Sequence, residues 1–108
     1  MRQLNDNAIP LQAAASVNGP AIAAQNLFYC SAQIVAAGGG AGTFVIQASD
    51  DDFGTNPPVH WTTIASATVS GDGVYLIPKI DLCYQWIRLV YTNSGAGTIS
   101  AVIKALGD

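Results

Sequence analysis

Apolar residues recur in this chain at every second position or in short unbroken runs, and nowhere at the spacing of a helix. Alternation over four to eight residues marks a half-buried strand, and a short continuous run bounded by turns marks a strand buried on both faces. The clearest strands fall at 28–36, 43–49, 74–77, 86–92 and 99–106, with weaker ones at 11–17, 61–64 and 67–70. In the first of these Phe28, Cys30, Ala32, Ile34 and Ala36 share one face, with Tyr29, Ser31 and Gln33 on the other. In 86–92 Ile87, Leu89 and Tyr91 oppose Trp86, Arg88 and Val90, so both faces are largely apolar, as a central strand requires. In the last run Ile99, Ala101 and Ile103 face inward, with Ser100 and Lys104 outward. The alanine-rich stretch 13–24 has the composition of a helix, but Asn18, Gly19 and Pro20 interrupt it, and proline has no amide to give a helix interior. It reads as an extended segment and a turn. These runs, separated by turn signals, predict an all-β fold: a two-sheet antiparallel β-sandwich, jelly-roll-like, of about eight strands.

A chain of 108 residues holds one domain. Residues 1–12 show no period before Leu11, so they read as an extended N-terminal arm, with residues 13–108 as the sandwich domain. The arm carries Leu4, Ile9 and Leu11 beside Arg2 and Asp6. Ordering such a tail costs roughly 1–2 kcal/mol per residue. Burying a leucine or isoleucine in a partner's groove returns about 1.5–3 kcal/mol. Arg2, Leu4, Ile9, Pro10 and Leu11 are therefore the expected assembly contacts, with the fixed φ of Pro10 setting the arm's exit direction. A disordered terminus is the competing reading. Gly40-Ala41-Gly42-Thr43 recurs as Gly95-Ala96-Gly97-Thr98, each copy between two β runs. The pair is expected to form two hairpin loops in pseudo-symmetric halves.

Only 10% of the residues are charged, against about 25% in ordinary soluble domains. Four basic and seven acidic residues leave a net charge of −3, while half the chain is hydrophobic. So thin a charged coat fits a surface covered by copies of itself, as a trimer or another closed ring, or by a larger assembly. A neutral polar surface of Ser, Thr, Asn, Gln and Gly is the alternative. Arg2, Lys79, Arg88 and Lys104 are scattered singly, which argues against nucleic acid as a partner. No apolar run approaches the roughly 20 residues of a membrane-spanning helix, and no export signal is visible, so no membrane partner is expected. Cys30 and Cys83 lie in apolar strand-like runs and are expected to be buried, reduced thiols, with a disulfide between them as the other option.

Chemistry-bearing groups are sparse. Asp50-Asp51-Asp52 is the one acidic cluster, but consecutive residues of an extended chain point opposite ways, so it reads as a solvated turn rather than a calcium site. His60 stands alone as histidine and there is no glutamate, which leaves no acid–base pair. No serine sits in a nucleophile elbow, and no Lys-Ser/Thr pair or helix follows the glycines at 38–42. Neither enzyme activity nor a cofactor or metal is expected. Trp61, Tyr75, Tyr84, Trp86 and Tyr91 fit a sandwich core and its rim better than a sugar-stacking platform.

Several segments carry a family resemblance: Val45-Ile46-Gln47-Ala48-Ser49-Asp50, His60-Trp61-Thr62-Thr63-Ile64, Tyr75-Leu76-Ile77-Pro78-Lys79, and the run 81–92 from Asp81 to Thr92. With Gly95-Ala96-Gly97-Thr98-Ile99 they resemble small virion proteins of tailed bacteriophages, mostly β-sandwich components of head or tail. Residues 76–92, about a sixth of the chain, are the specific part. The resemblance implies a structural virion protein assembled in the host cytoplasm, above all a capsid decoration or stabilising protein. Its implied partners are itself and the phage capsid or other virion proteins; a tail or baseplate component is the variant of that reading. A shorter echo, Gln47-Ala48-Ser49-Asp50-Asp51 with Trp61 and the strand holding Arg88, is similar to discoidin-like modules and implies a glycan ligand. This chain is shorter than those modules usually are and lacks matching loop residues, so no binding residue carries over.

Overall fold

A computed structural model describes residues 2–13, 15–52 and 58–107, with side chains from residue 4 onward. The alternation read from sequence sets the strands. These are β1 (Arg2–Ala13), β2 (Val17–Asn18), β3 (Ile22–Ala23), β4 (Leu27–Ala37), β5 (Ala41–Ser49), β6 (Thr62–Ser70), β7 (Gly73–Asp81), β8 (Trp86–Asn93) and β9 (Thr98–Gly107). They form two antiparallel sheets, β1-β9-β4-β7 (sheet I) and β2-β8-β5-β6 with β3 also on β8 (sheet II). Val17 and Asn18 pair with Tyr91 and Val90, and Ile22 and Ala23 pair with Ile87 and Trp86. β2 and β3 are thus two ends of one strand interrupted at Gly19 and Pro20, and the sandwich has eight strands in effect.

The strand order in one sheet repeats in the other because β4–β5, β6–β7 and β8–β9 each pass from one sheet to the opposite one at a common end. At each, the chain reverses through a short turn from one layer into the other. This is a jelly roll. It places the two Gly-Ala-Gly-Thr copies side by side at that end. Ser94 N donates to Ala41 O at 3.1 Å and Ala96 N to Gly39 O at 3.4 Å. The copies are therefore sheet-switching corners, not hairpin loops. Glycine relaxes the backbone equally for either turn, and only the pairing of β4 with β9 and β5 with β8 distinguishes them.

One core lies between the sheets. Phe44 and Tyr91 stack with ring centroids 4.5 Å apart, in one buried cluster with Ile34, Ile46, Ile87, Leu89, Ile99 and Ile103. The Tyr91 hydroxyl donates to the Ala41 carbonyl, with Asn93 Oδ1 3.1 Å away, so the buried phenol is satisfied beside the corner. Burial pushes its pKa upward.

Two expectations change here. Of the expected arm 1–12, the described residues 2–12 do not stand outside the domain. Arg2–Ala13 is the edge strand of sheet I, with Leu4 opposite Ala105 and Ile9 opposite Ala101. Ile9 is fully buried in the core, and Leu4 packs against it. Register shifts on either side of Ile9 break the alternation, which hides the strand from a period-two reading. A second irregularity, between Leu27 and Tyr29, makes Leu27 the inward residue and leaves Phe28 exposed.

Candidate interaction surface

An eight-stranded sandwich has two inward faces, which make the core, and two outward faces. Register fixes what each outward face displays. On sheet I Val35 lies between Val74 of β7 and Ser100 of β9, and Gln33 lies between Leu76 and Val102. On β1, Leu11 falls between the pairs Ile9–Ala101 and Gln12–Ile99, level with Ser100. Leu11, Val35, Val74, Leu76 and Val102 are 41–73% exposed. They form an apolar band across all four strands, near the glycine corners. Toward the other end the same face carries Lys79 and Lys104, with Asp81 opposite Tyr29. Lys79 Nζ sits 4.5 Å above the Tyr29 ring, and a shallow cleft of about 160 Å³ is lined by Tyr29, Ser31, Lys79 and Lys104.

The outer face of sheet II is hydroxyl-rich. Register aligns Thr68, Thr43 and Thr92 in one row and Thr63, Gln47 and Arg88 in another. Arg88 Nε donates to Gln47 Oε1 at 2.8 Å, and its guanidinium carbon lies 4.3 Å from the Trp61 ring centre. Partial burial lowers the Arg88 pKa. Trp61 Nε1 donates to Pro58 O, so the indole is fixed at its polar end.

The end of the sandwich away from the corners is organised by aspartates. Asp51 Oδ2 accepts from Val59 N at 2.7 Å and His60 N at 2.9 Å, while Oδ1 lies 2.9 Å from His60 Nδ1. Asp51 O accepts from Trp86 Nε1, and Asp50 Oδ1 from Gln85 N. The triplet expected to be a solvated turn thus ties the β5–β6 loop to itself and to β8. Two clefts, of about 240 and 350 Å³, flank Asp50 and Tyr84. No group of three or more metal-ligating side chains among the described residues could hold an ion. The two backbone amides, ahead of the histidine, hold the Asp51 carboxyl down at about 2. A depressed carboxyl contributes stability above its unfolded pKa, near 4, that is lost as pH falls toward its folded value. Acid titration of wild type should show stability falling between about pH 4 and pH 2, and Asp51→Asn should flatten that step while lowering stability at neutral pH. Identical acid profiles would show that Asp51 does not hold the loop.

The five expected assembly contacts do not form one surface. Ile9 is fully buried and Leu4 packs on its own core, whereas Pro10 and Leu11 are exposed on β1. Arg2 opens β1 opposite Gly107; its side chain lies outside the described residues. Only Leu11 joins the apolar band. Val74, Leu76 and Val102 are the outward residues of runs whose alternation marks an inward face. The outward residues of the same runs were the signal.

The thiols also divide. Cys30 is buried on β4 and Cys83 is exposed in the β7–β8 loop, both free. Leu82 takes the inward position there and turns its neighbour out, so the expectation of two buried thiols holds for Cys30 alone. Burial pushes the Cys30 thiol up to about 12. In the folded protein a thiol reagent should modify Cys83 and spare Cys30, with the second equivalent reacting only on denaturation. Rapid modification of both would place Cys30 at the surface.

No protein-family model matches the chain, and no curated protein matches it. Solved structures do resemble it. The SPBc2 prophage-derived protein YomS superposes with a TM-score of 0.70 at 10% identity, over 96% of this chain and 92% of that one. The PBSX exported protein XepA gives 0.61 at 16% identity, over 99% of this chain but 36% of that one. Chitosan-binding module 2 of a chitosanase/glucanase from Paenibacillus sp. IK-5, solved with chitotriose, gives 0.52 at 18% identity, over 92% of this chain and 90% of that one. At such identities the likeness establishes a shared sandwich fold, one that a prophage-derived protein, an exported protein and a chitosan-binding module all use.

Proposed function

We propose that this chain is a non-catalytic structural protein of a tailed-phage particle, in the manner of a capsid decoration protein, that acts by self-association and contact with other virion proteins. The apolar band of Leu11, Val35, Val74, Leu76 and Val102 carries the reading. Large apolar side chains exposed together on one face mark an interaction site, and 10% charged residues do little to keep the chain apart from its copies. Fully covering a valine or leucine is worth about 1.5–3 kcal/mol, and these five are roughly half exposed, so the band supplies several kcal/mol. Association costs on the order of 4–15 kcal/mol, so contact through this face is weak for a pair and effective where a particle repeats it. The likeness to YomS along nearly the whole of both chains supports the reading at the level of fold. Localisation is then the virion.

Sedimentation over a concentration series, and co-sedimentation with particles of the source phage or prophage, test it. Wild type should self-associate and bind particles, and Leu76→Asp should weaken both. A strictly monomeric protein that ignores particles sinks the reading. The second reading, a glycan-binding module, rests on Trp61, Arg88 and Gln47 on the outer face of sheet II. A sugar ligand whose binding is lost in Trp61→Ala would put it first.

A further inference from the structure

Of the two clefts at the aspartate end, the one of about 240 Å³ lies between the β3–β4 turn and the β7–β8 loop. Two backbone hydrogen bonds fix these segments to each other. Ala24 N donates to Gln85 O at 2.8 Å, and Leu82 N donates to Phe28 O at 2.7 Å. The walls are therefore set in the single chain. Leu27 and Leu82 are buried in them, Tyr84 is partly buried, and Phe28 is exposed. Asp50 is the one charged residue among those that line the cleft, and it is exposed, with Oδ1 accepting from Gln85 N at 3.2 Å. Gln85 lines the cleft beside it. Its Oε1 is buried and has no hydrogen-bond partner among the described residues. Native folds pair nearly all their buried acceptors, so an orphan in the wall of a cleft calls for a donor from outside. No hydrogen bond holds that oxygen, so it meets a donor without giving one up.

We propose that this cleft takes the side chain of a lysine from another virion protein, its alkyl stem along Phe28 and Leu82 and its ammonium at Asp50 and Gln85. The inference rests on the reading of this chain as one that works through contacts with other proteins, and it names a site at the opposite end from the apolar band. The lining selects the ligand. An ammonium brings three donors and no acceptor, which suits a carboxylate next to an unpaired amide oxygen. A long apolar stem suits the leucine and aromatic walls, and a cation is also attracted to the Phe28 and Tyr84 rings. An anion would meet Asp50 with no basic side chain in the lining to balance it. Arginine would bring five donors to two acceptor groups. A sugar ring carries hydroxyls round its rim, and those turned toward Leu27 and Leu82 would lose their hydrogen bonds. One lysine binds weakly, and the contact matters where a particle repeats it.

The probe is lysine with both backbone ends blocked, Nα-acetyl-lysine methylamide, titrated into isotope-labelled protein and followed by backbone amide chemical shifts. Saturable shifts at residues 28, 50 and 82–85 are expected, with a Kd on the order of millimolar. The same compound acetylated at Nε has lost its charge and should bind about fivefold more weakly or worse. Asp50→Asn keeps the oxygen that accepts from Gln85 N, and it should weaken binding by about the same factor. Gln85→Met should weaken binding too, with a melting temperature unchanged or higher, because it removes an acceptor the fold leaves unpaired. No saturation at tens of millimolar, equal binding of the Nε-acetylated compound, or wild-type affinity in Asp50→Asn overturns the proposal. Tighter binding of glucosamine at the same residues overturns it in favour of an amino sugar. A titration that fails in a protein that still self-associates and binds particles refutes the lysine cleft alone. Lysine binding by a chain that neither associates nor binds particles refutes the virion reading while the cleft stands.

Discussion

Ile9→Ala is expected to destabilise the domain by about 2–5 kcal/mol, the range for removing a large side chain from a packed core. Ile9 is fully buried, opposite Ala101 of β9, so its loss opens a void in the packed core. Domains of this size have roughly 5–15 kcal/mol in total, so the substitution removes a large share of that. Deleting residues 1–12 should do more, because it also strips the backbone partner from β9, whose Ala101, Ile103 and Ala105 form the centre of sheet I. Chemical denaturation of Ile9→Ala and the circular dichroism of the truncated chain measure both. Leu11→Ala is the contrast. That side chain is 73% exposed, so its loss should leave the melting temperature nearly unchanged. A truncated chain with wild-type stability would return residues 1–12 to the status of an arm.

The same strand shows where the sequence was legible. Each of the five strong strand expectations lies within an observed strand, β4, β5, β7, β8 or β9, and the inward residues of β9 are as read. These strands keep an unbroken alternation or a run buried on both sides, signals that survive without tertiary knowledge. β1 fails that test because Pro10 and two register shifts interrupt it, and its one fully buried residue, Ile9, stands among Asn5, Asp6, Asn7 and Gln12. Its strand character comes from β9, which supplies the partner. The weak runs at 61–64 and 67–70 are one strand, β6, whose Ala65 and Ser66 carry no propensity signal of their own. For the surface, legibility was lower still. Val74, Leu76 and Val102 become a band only when β7, β4 and β9 are laid in register, and nothing local in three separate runs reveals that neighbourhood. The low charge pointed to a covered surface without saying which face.

Gly97→Ala should be as damaging as the loss of Ile9, for a backbone reason. Gly97 has φ of +86°, where an L side chain costs roughly 1–2 kcal/mol. A Cβ there would lie 2.1 Å from the Ala37 carbonyl oxygen and 2.6 Å from that of Gly38, both backbone atoms of the neighbouring corner. Neither can move aside alone, so the two corners must separate. That strains the hydrogen bonds from Ser94 N to Ala41 O and from Ala96 N to Gly39 O, each worth about 0.5–1.5 kcal/mol. Together these effects amount to about 3 kcal/mol or more, which for a domain of this length lowers the melting temperature by more than about 10 °C. Gly39→Ala separates the two causes. Its φ is +90°, but nothing lies within 4 Å of the added Cβ, so it should show the conformational cost without the collision. Scanning calorimetry of the two variants decides the matter. If both melt alike, the corners do not abut as described, and the turns that link the two sheets lose the contact that aligns them.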